Sequence, residues 1–477
     1  MSSNPHAAIL CSPGLGHLIP VLELAKRLVT HRNFTVTIFA IPSPTSKAES
    51  ELLKAATTPK FCDIVELPPP DISGCVGPDA AVVTLLAVMM REVRPAFRSA
   101  ILGIKPPLRP TVLIVDLFST ESLSIGDELG IPKYVFIACN AWFLALTVYV
   151  RVLDKEVEGE YVDQTEPLRI PGCKPVRPED VVDPMLDRTD QQYLEYVRIG
   201  SNFPKSDGIL INTWEDLQHE TLDAFRDERL LGGVAKVPVY PIGPLTRPVQ
   251  SGGSAGPKEE GLFNWLDKQP SESVIFVSLG SGGTVSFEQM TEMAWGLELS
   301  QQRFIWVVRP PSNSPDAAFF TSGDGDNEAS TYLPKGFLTR TRDVGLVVPL
   351  WVPQVDMLSH PSIGGFWSHC GWNSTIESIT NGVPMIVWPL YAEQRLNATL
   401  LTEELGVAVR SKVLPLKKVV GREEIEGMVR KIMVDRDGQA IRGRVKELKL
   451  SAAKALSVAG SSYNALSQIS GDNQAKC

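Results

Sequence analysis

Two successive series of short apolar runs, separated by helix-like segments, constrain this chain more than any other feature. The first series is "AAIL" (7–10), "TVTIFAI" (35–41), "TVLIVDLF" (111–118), "KYVFIA" (133–138) and "GILINT" (207–212). A Pro-, Gly- and Ser-rich stretch without apolar period, 241–261, interrupts it. The pattern then restarts with "ESVIFVSLGSGG", "RFIWVVR", "GLVVPLW", "GGFWSH" and "PMIVWP". Near-continuous apolar runs alternating with helices belong to parallel sheets covered on both faces. With 477 residues the chain exceeds one ordinary core. The reading is α/β with two Rossmann-like units, 1–245 and 261–458, joined by a linker at 246–260. Ligands of such sheets bind outside the carboxyl ends of the strands, and a cleft between two such units is the expected site.

Charge narrows the function. The formal net charge is −9 and no basic stripe is present, so nucleic acid is not an expected partner. No apolar run reaches the roughly 18 charge-free residues of a membrane span, and "MSSNPHAAIL" lacks the pattern of a signal peptide. Seven cysteines, an odd number with no C-x-x-C pair, fit reduced thiols better than disulfides or a zinc site. A cytoplasmic monomer is the expectation.

The segment "SPGLGHLIP" (12–20) reads as a tight loop between strand and helix. It fails as a dinucleotide fingerprint: Ile19 stands at the sixth position, and the second strand ends without a ribose-binding carboxylate. No G-x-x-x-x-G-K-[ST] occurs either. The loop instead delivers His17, a base suited to neutral pH. Asp116 follows a run of apolar residues, at a strand's carboxyl end. A carboxylate there would fix the imidazole tautomer and make His17 a competent general base. Asp116 could instead cap the following helix, though Ser119 or Thr120 could do that as easily; the dyad is the favoured reading.

The strongest signal runs from Trp351 to Gln394. "GGFWSH" reads as a strand, "CGWN" as a tight loop and "STIESITNG" as a helix, with Ser374 and Glu377 as a capping box and Gly382–Pro384 ending it. His369, Asn373 and the first helical N–H groups then converge on a positive helix mouth suited to a phosphate. The indole of Trp351 could stack on a base. Glu377 could equally serve only the cap, and Trp388 and one of Phe366 and Trp367 are expected in the core.

This stretch resembles the signature box of plant family-1 UDP-sugar glycosyltransferases: W-x-P-Q at its start, H-x-G-W-N-S at its centre, a carboxylate and Gln at its end. The resemblance extends to the P-G-x-G-H loop, the Asp near 116 and "VSLGSGGT". Within the family, "SPGLGHL", "GSGGT", "YAEQ" and the long 310–332 excursion are most similar to hydroquinone (arbutin-type) and monolignol glucosyltransferases.

The resemblance implies a GT-B fold: two Rossmann-like domains facing across a cleft, acceptor on the first and UDP-sugar on the second. A C-terminal helix, about 459–477, would pack back on the first. It implies inverting transfer from UDP-glucose to an acceptor hydroxyl, with His17 as base and Asp116 offsetting its charge. Trp351 would stack on uracil, Val352 and Gln354 would hold its edge or the ribose, and Glu377 would take the ribose hydroxyls. Ser281, His369, Asn373 and Ser374 would hold the diphosphate; Trp372, Glu393 and Gln394 would grip the sugar. Glu393 departs from the Asp of many members but keeps the carboxylate, and Gln394 points to glucose rather than galactose. No metal is expected: "DGD" (324–326) matches the D-x-D string of the other glycosyltransferase architecture, but lies in a low-complexity stretch without a preceding strand. Segments that the family uses for acceptors carry Met89, Met90, Phe118, Trp142, Phe143, Met185 and Leu186, which together suggest a flat aromatic acceptor such as hydroquinone, a monolignol, a simple phenol or indoxyl.

Overall fold

The computed structural model describes residues 4–42, 47–56, 61–106, 108–248, 257–314, 329–415 and 417–471. The chain divides into two compact units, Met1–Thr246 with Ala452–Cys477, and Arg247–Ser451.

The first unit is built on seven strands: β1 (His6–Cys11), β2 (Thr35–Ala40), β3 (Asp63–Glu66), β4 (Val112–Asp116), β5 (Lys133–Ile137), β6 (Gly208–Ile211) and β7 (Val239–Pro241). Their spatial order is β3-β2-β1-β4-β5-β6-β7, and every pairing is parallel. β1 and β4 are buried along their whole length, as a sheet covered on both faces requires. Helix Leu15–Arg32 buries Leu18, Val21, Leu22, Leu24, Ala25 and Leu28 on one side. Asn33 ends it in the left-handed region (φ 56°), where its N–H reaches Leu28 O. Helix Ser461–Gly471, near the chain's end, adds Ala465, Leu466 and Ile469 to this same core. Arg32 lies over the Tyr463 ring at 4.2 Å.

The second unit carries six parallel strands: β8 (Val274–Ser278), β9 (Arg303–Val308), β10 (Gly345–Pro349), β11 (Ile363–Ser368), β12 (Met385–Val387) and β13 (Ala408–Arg410), ordered β10-β9-β8-β11-β12-β13. Phe366 and Trp367 are both fully buried, as is Trp388. The expected core position of one of the first two holds, and the other is buried as well, because both faces of β11 are covered.

Both sheets share one topological feature. Each order runs outward from the unit's first strand, then returns to place the fourth strand on its other side. Loops leaving β1 and β4, or β8 and β11, therefore diverge and open a crevice at the carboxyl edge. His17 and Asp116 lie at the first such point; Ser281 and His369 lie at the second.

Three strands had no sequence signal. β3, β7 and β13 have only 4, 3 and 3 residues, too short for an apolar alternation to stand out. The linker reading is also shortened. Helix Pro257–Leu266 begins inside the stretch taken as linker, with proline in its first turn. Ile242 and Leu245, just before the linker, are 1% exposed and belong to the first unit's core. Residues 249–256, most of the 310–332 excursion and its "DGD" lie outside the described residues.

Candidate active site

In the first unit, Gly14 (φ 105°) turns the chain out of β1 and starts helix Leu15–Arg32. His17 falls in the helix's first turn, and both its N–H and that of Leu18 bond to Gly14 O at 3.0 Å. β4 pairs with β1 in parallel register, Val115 beside Leu10, and ends at Asp116. His17 Nδ1 and Asp116 Oδ2 are 2.9 Å apart. A carboxylate oxygen accepts, so the imidazole proton sits on Nδ1 and Nε2 is the basic nitrogen.

Asp116 is fully buried, and two more donors hold it. The Ser12 hydroxyl donates to Oδ1 at 2.5 Å, and the Phe118 N–H to the same oxygen at 3.1 Å. Asp116 is also the N-cap of the 3₁₀ turn Leu117–Ser122. Dyad and cap, weighed above as alternatives, thus coexist in one side chain, each using its own oxygen. The Phe118 ring stands edge-on to the His17 ring at 5.4 Å.

The acceptor candidates divide by burial. Helix Val82–Glu92, which carries Met89, packs against the Leu117–Ser122 turn, which carries Phe118. Met89, Phe118 and Leu186 are half-buried, and Phe143 retains 9% exposure. Met90, Trp142 and Met185 are at most 2% exposed. These three pack mainly into the core, as deeply buried as Glu377 and Gln394 in the second unit.

In the second unit, the capping-box reading is overturned. Helix Trp372–Asn381 has Gly371 as its N-cap, with no side-chain cap, and Ser374 lies inside its first turn. The side chains of Ser374 and Glu377 turn instead to Gln354, whose Nε2 donates to Ser374 Oγ at 2.9 Å and to Glu377 Oε2 at 2.7 Å. Gly382 (φ 76°) ends the helix as expected. Glu377 is 2% exposed; desolvation pushes its carboxyl above the usual carboxylate range, partly offset by Arg247, whose Nη2 is 3.6 Å from Oε1.

His369 sits on the turn between β11 and this helix, with Cys370 next to it in the left-handed region (φ 56°). Two glycines clear its ring. A Cβ on Gly280 would meet His369 Cε1 at 2.5 Å, and one on Gly371 would meet Nε2 at 2.6 Å. Burial, aided by the nearby positive charge of Arg309, lowers the His369 pKa to about 4. His369 is therefore neutral at physiological pH, a hydrogen-bonding group rather than a cation. Arg309 follows β9, is itself lowered by burial, and donates to Leu350 O at 3.1 Å. Leu350 (φ 67°) in turn donates its N–H to Val308 O. This pinned turn presents Trp351, whose side chain stays 55% exposed with its indole available for stacking, while Val352 is 6% exposed.

The remaining candidates lie around the same edge. Ser281 is exposed on the loop after β8. Asn373 is half-buried in the first turn of its helix, and Trp372 is 3% exposed, so its indole mainly packs. Glu393 stands at the N-cap position of helix Gln394–Thr399 without a side-chain cap bond; its Oε1 accepts from Asn397 Nδ2 at 3.2 Å, which also donates to Cys370 O at 3.0 Å. Gln394 Oε1 accepts from the N–H groups of Leu390 and Tyr391 at 2.8 and 3.1 Å. That fixes the amide's orientation and turns its NH₂ end away from the loop.

Ser12, Arg309, Gly280 and Gly371 were not found from the sequence. Ser12 and Asp116 are 104 positions apart, and nothing local in either segment signals the other. Among the described residues no cluster of His, Cys, Asp or Glu is placed to hold a metal ion, and no helix is long and apolar enough to cross a membrane.

Two Rossmann-like units, one with a His–Asp pair and the other with an uncapped helix mouth beside a neutral histidine, define the GT-B class of glycosyltransferases. The sequence model described as "UDP-glucoronosyl and UDP-glucosyl transferase" matches residues 254–436. The chain is 63% identical over 470 residues to anthocyanidin 3-O-glucosyltransferase 5 of Manihot esculenta, covering 98% of this chain and 95% of that protein. It is 42% identical to hydroquinone glucosyltransferase of Rauvolfia serpentina, with 98% of each covered. The crystal structure of TcCGT1 in complex with UDP superimposes with a TM-score of 0.91 at 48% identity, covering 100% of both chains. The chain belongs to the plant family-1 UDP-glycosyltransferases, and it is a glycosyltransferase that uses a UDP-sugar.

Proposed function

We propose that this enzyme transfers glucose from UDP-glucose to the hydroxyl of a small aromatic acceptor, with inversion, giving a β-glucoside. The observation that carries the reading is the His17–Asp116 pair at 2.9 Å, at the switch point of its sheet. His17 Nε2 takes the proton of the acceptor hydroxyl. The oxygen attacks the anomeric carbon from the face opposite UDP, the glycosidic C–O bond to UDP breaks, and the diphosphate leaves with the bonding pair. Asp116 stabilises the imidazolium formed meanwhile. A phenol, with a pKa near 10, gives up its proton more readily than an alcohol.

On the donor side, Trp351 stacks on uracil, Val352 and Gln354 hold its edge or the ribose, and Glu377 accepts from the ribose hydroxyls. Ser281, His369, Asn373, Ser374 and the N-terminus of helix Trp372–Asn381 hold the diphosphate. Glu393, Gln394 and Trp372 contact the sugar. Residues 1–245 with the C-terminal helix serve the acceptor, and 261–458 the donor. Met89, Phe118, Phe143 and Leu186 form the acceptor wall, with Met90, Trp142 and Met185 packed behind them. The relatives' names, an anthocyanidin and a hydroquinone glucosyltransferase, support glucose and an aromatic hydroxyl. The reaction needs no metal, and the enzyme works as a cytoplasmic monomer.

Purified protein is mixed with UDP-glucose, EDTA and a panel of phenols, monolignols and indoxyl; UDP release and glucoside mass are followed. Product in EDTA, lost in His17→Ala while UDP still binds, is expected. UDP binding without product across the panel would defeat the acceptor class, and restoration by Mn²⁺ would defeat the metal-free step.

A further inference from the structure

Glu377 poses an electrostatic problem. Its carboxyl is 2% exposed, and burial favours the neutral form. A protonated carboxyl is a poor partner for two hydroxyls, because one of its own oxygens must donate. Gln354 Nε2 satisfies Oε2 at 2.7 Å, but an amide carries no net charge. The compensating charge comes from Arg247, at the start of the second unit and next to the linker.

The pairing is unusual in kind. Arg247 Nη2 stands 3.6 Å from Oε1, close enough for strong attraction but too long for a strong hydrogen bond. Apart from this long Arg247 contact, no hydrogen bond among the described residues ends on Oε1. A bidentate guanidinium would occupy both oxygens; here one oxygen is stabilised by charge and still has its lone pairs for another donor. Arg247 Nε is itself buried with no partner among the described residues. Glu377 is the arginine's one ion-pair partner among them.

We propose that Arg247 is a positioning residue for the ribose of the sugar nucleotide, its guanidinium keeping Glu377 charged and aimed so that the ribose hydroxyls donate to Oε1. The inference rests on the reading of Glu377 as the ribose acceptor. A linker-proximal residue thereby takes part in nucleotide recognition, acting through Glu377 rather than by touching the reacting atoms.

The test compares binding of UDP and 2′,3′-dideoxyuridine diphosphate by calorimetry, in the full chain and in Arg247→Met, Arg247→Lys and Glu377→Gln. Hydrogen bonds to a charged group are worth about tenfold or more in affinity. Arg247→Met should lose about that factor for UDP and almost nothing for the dideoxy analogue, and Arg247→Lys should recover most of it. Arg247→Gln replaces Arg247→Met if the latter fails to fold. Equal weakening of both ligands would mean a merely structural arginine and overturn the proposal. Glu377→Gln separates the two levels. If it collapses the preference for UDP while Arg247→Met leaves it intact, the role of Arg247 falls and that of Glu377 stands. If it leaves the preference intact, both fall.

Discussion

Ser12 Oγ donates to Asp116 Oδ1 at 2.5 Å, on the carboxylate oxygen that His17 does not use. The serine, with the Phe118 N–H, holds the carboxylate plane so that Oδ2 faces the imidazole. Ser12→Ala should lower kcat by about tenfold and Asp116→Asn by about a hundredfold or more, with His17→Ala losing about a thousandfold. UDP affinity should stay within twofold in all three, since none of these residues is assigned to the donor nucleotide. Steady-state kinetics with a phenol, alongside UDP calorimetry, checks the order; Ser12→Ala equal to Asp116→Asn would mean that the serine does more than orient.

The neutrality of His369 has a stability signature. Unfolded, its imidazole takes up a proton as pH falls through about 6.5; folded, it does so only near 4. Its contribution to stability is therefore complete above pH 6.5 and declines by up to about 3 kcal/mol toward pH 4. Urea unfolding of wild type and His369→Gln at pH 7.5 and 4.5 reads the difference. The wild type should lose more stability than the variant over that interval; parallel losses would mean that the ring is not held neutral.

Gly280 and Gly371 leave room for that ring. Gly280→Ala combines a φ of 79° with a Cβ 2.5 Å from His369 Cε1. UDP affinity should drop by about tenfold or more, as the imidazole is displaced, with a stability loss of about 1–2 kcal/mol from the backbone alone. Calorimetry and thermal melting separate the two effects.

Gln394 uses its two amide ends differently, and two substitutions read them apart. Gln394→Glu keeps an oxygen for the Leu390 and Tyr391 N–H groups but removes the NH₂ donor. It should raise KM for UDP-glucose severalfold at nearly unchanged Tm. Gln394→Leu strands both backbone donors and should cost about 2 kcal/mol as well. Equal Tm values for the two variants would contradict the hydrogen-bonding scheme.

Much of this architecture was legible in the chain. The runs around β1, β2, β4, β5, β6 and β8 to β12 are apolar because both faces of each sheet are covered, and the interruption near 246–260 marks where one series ends. His17 and Asp116 could be paired in advance because both sit at carboxyl ends of strands. The capping box at Ser374 and Glu377 misled, since its spacing also suits two side chains facing Gln354, twenty and twenty-three positions away. Local sequence spacing carries no information about which of those partners wins.

The sequence by itself determined the class of fold, the family and the identities of the chemical groups, because apolar period and motif spacing are properties of neighbouring residues. Only the tertiary structure decided how those groups are tuned. Ser12 reaches Asp116 across adjacent strands, burial and then Arg309 lower the pKa of His369 beside glycines from two loops, and Arg247 faces the buried Glu377. Each depends on distances of a few ångströms between residues far apart in the chain, and on burial, which strengthens charge interactions severalfold over water. Neither is written in any local stretch.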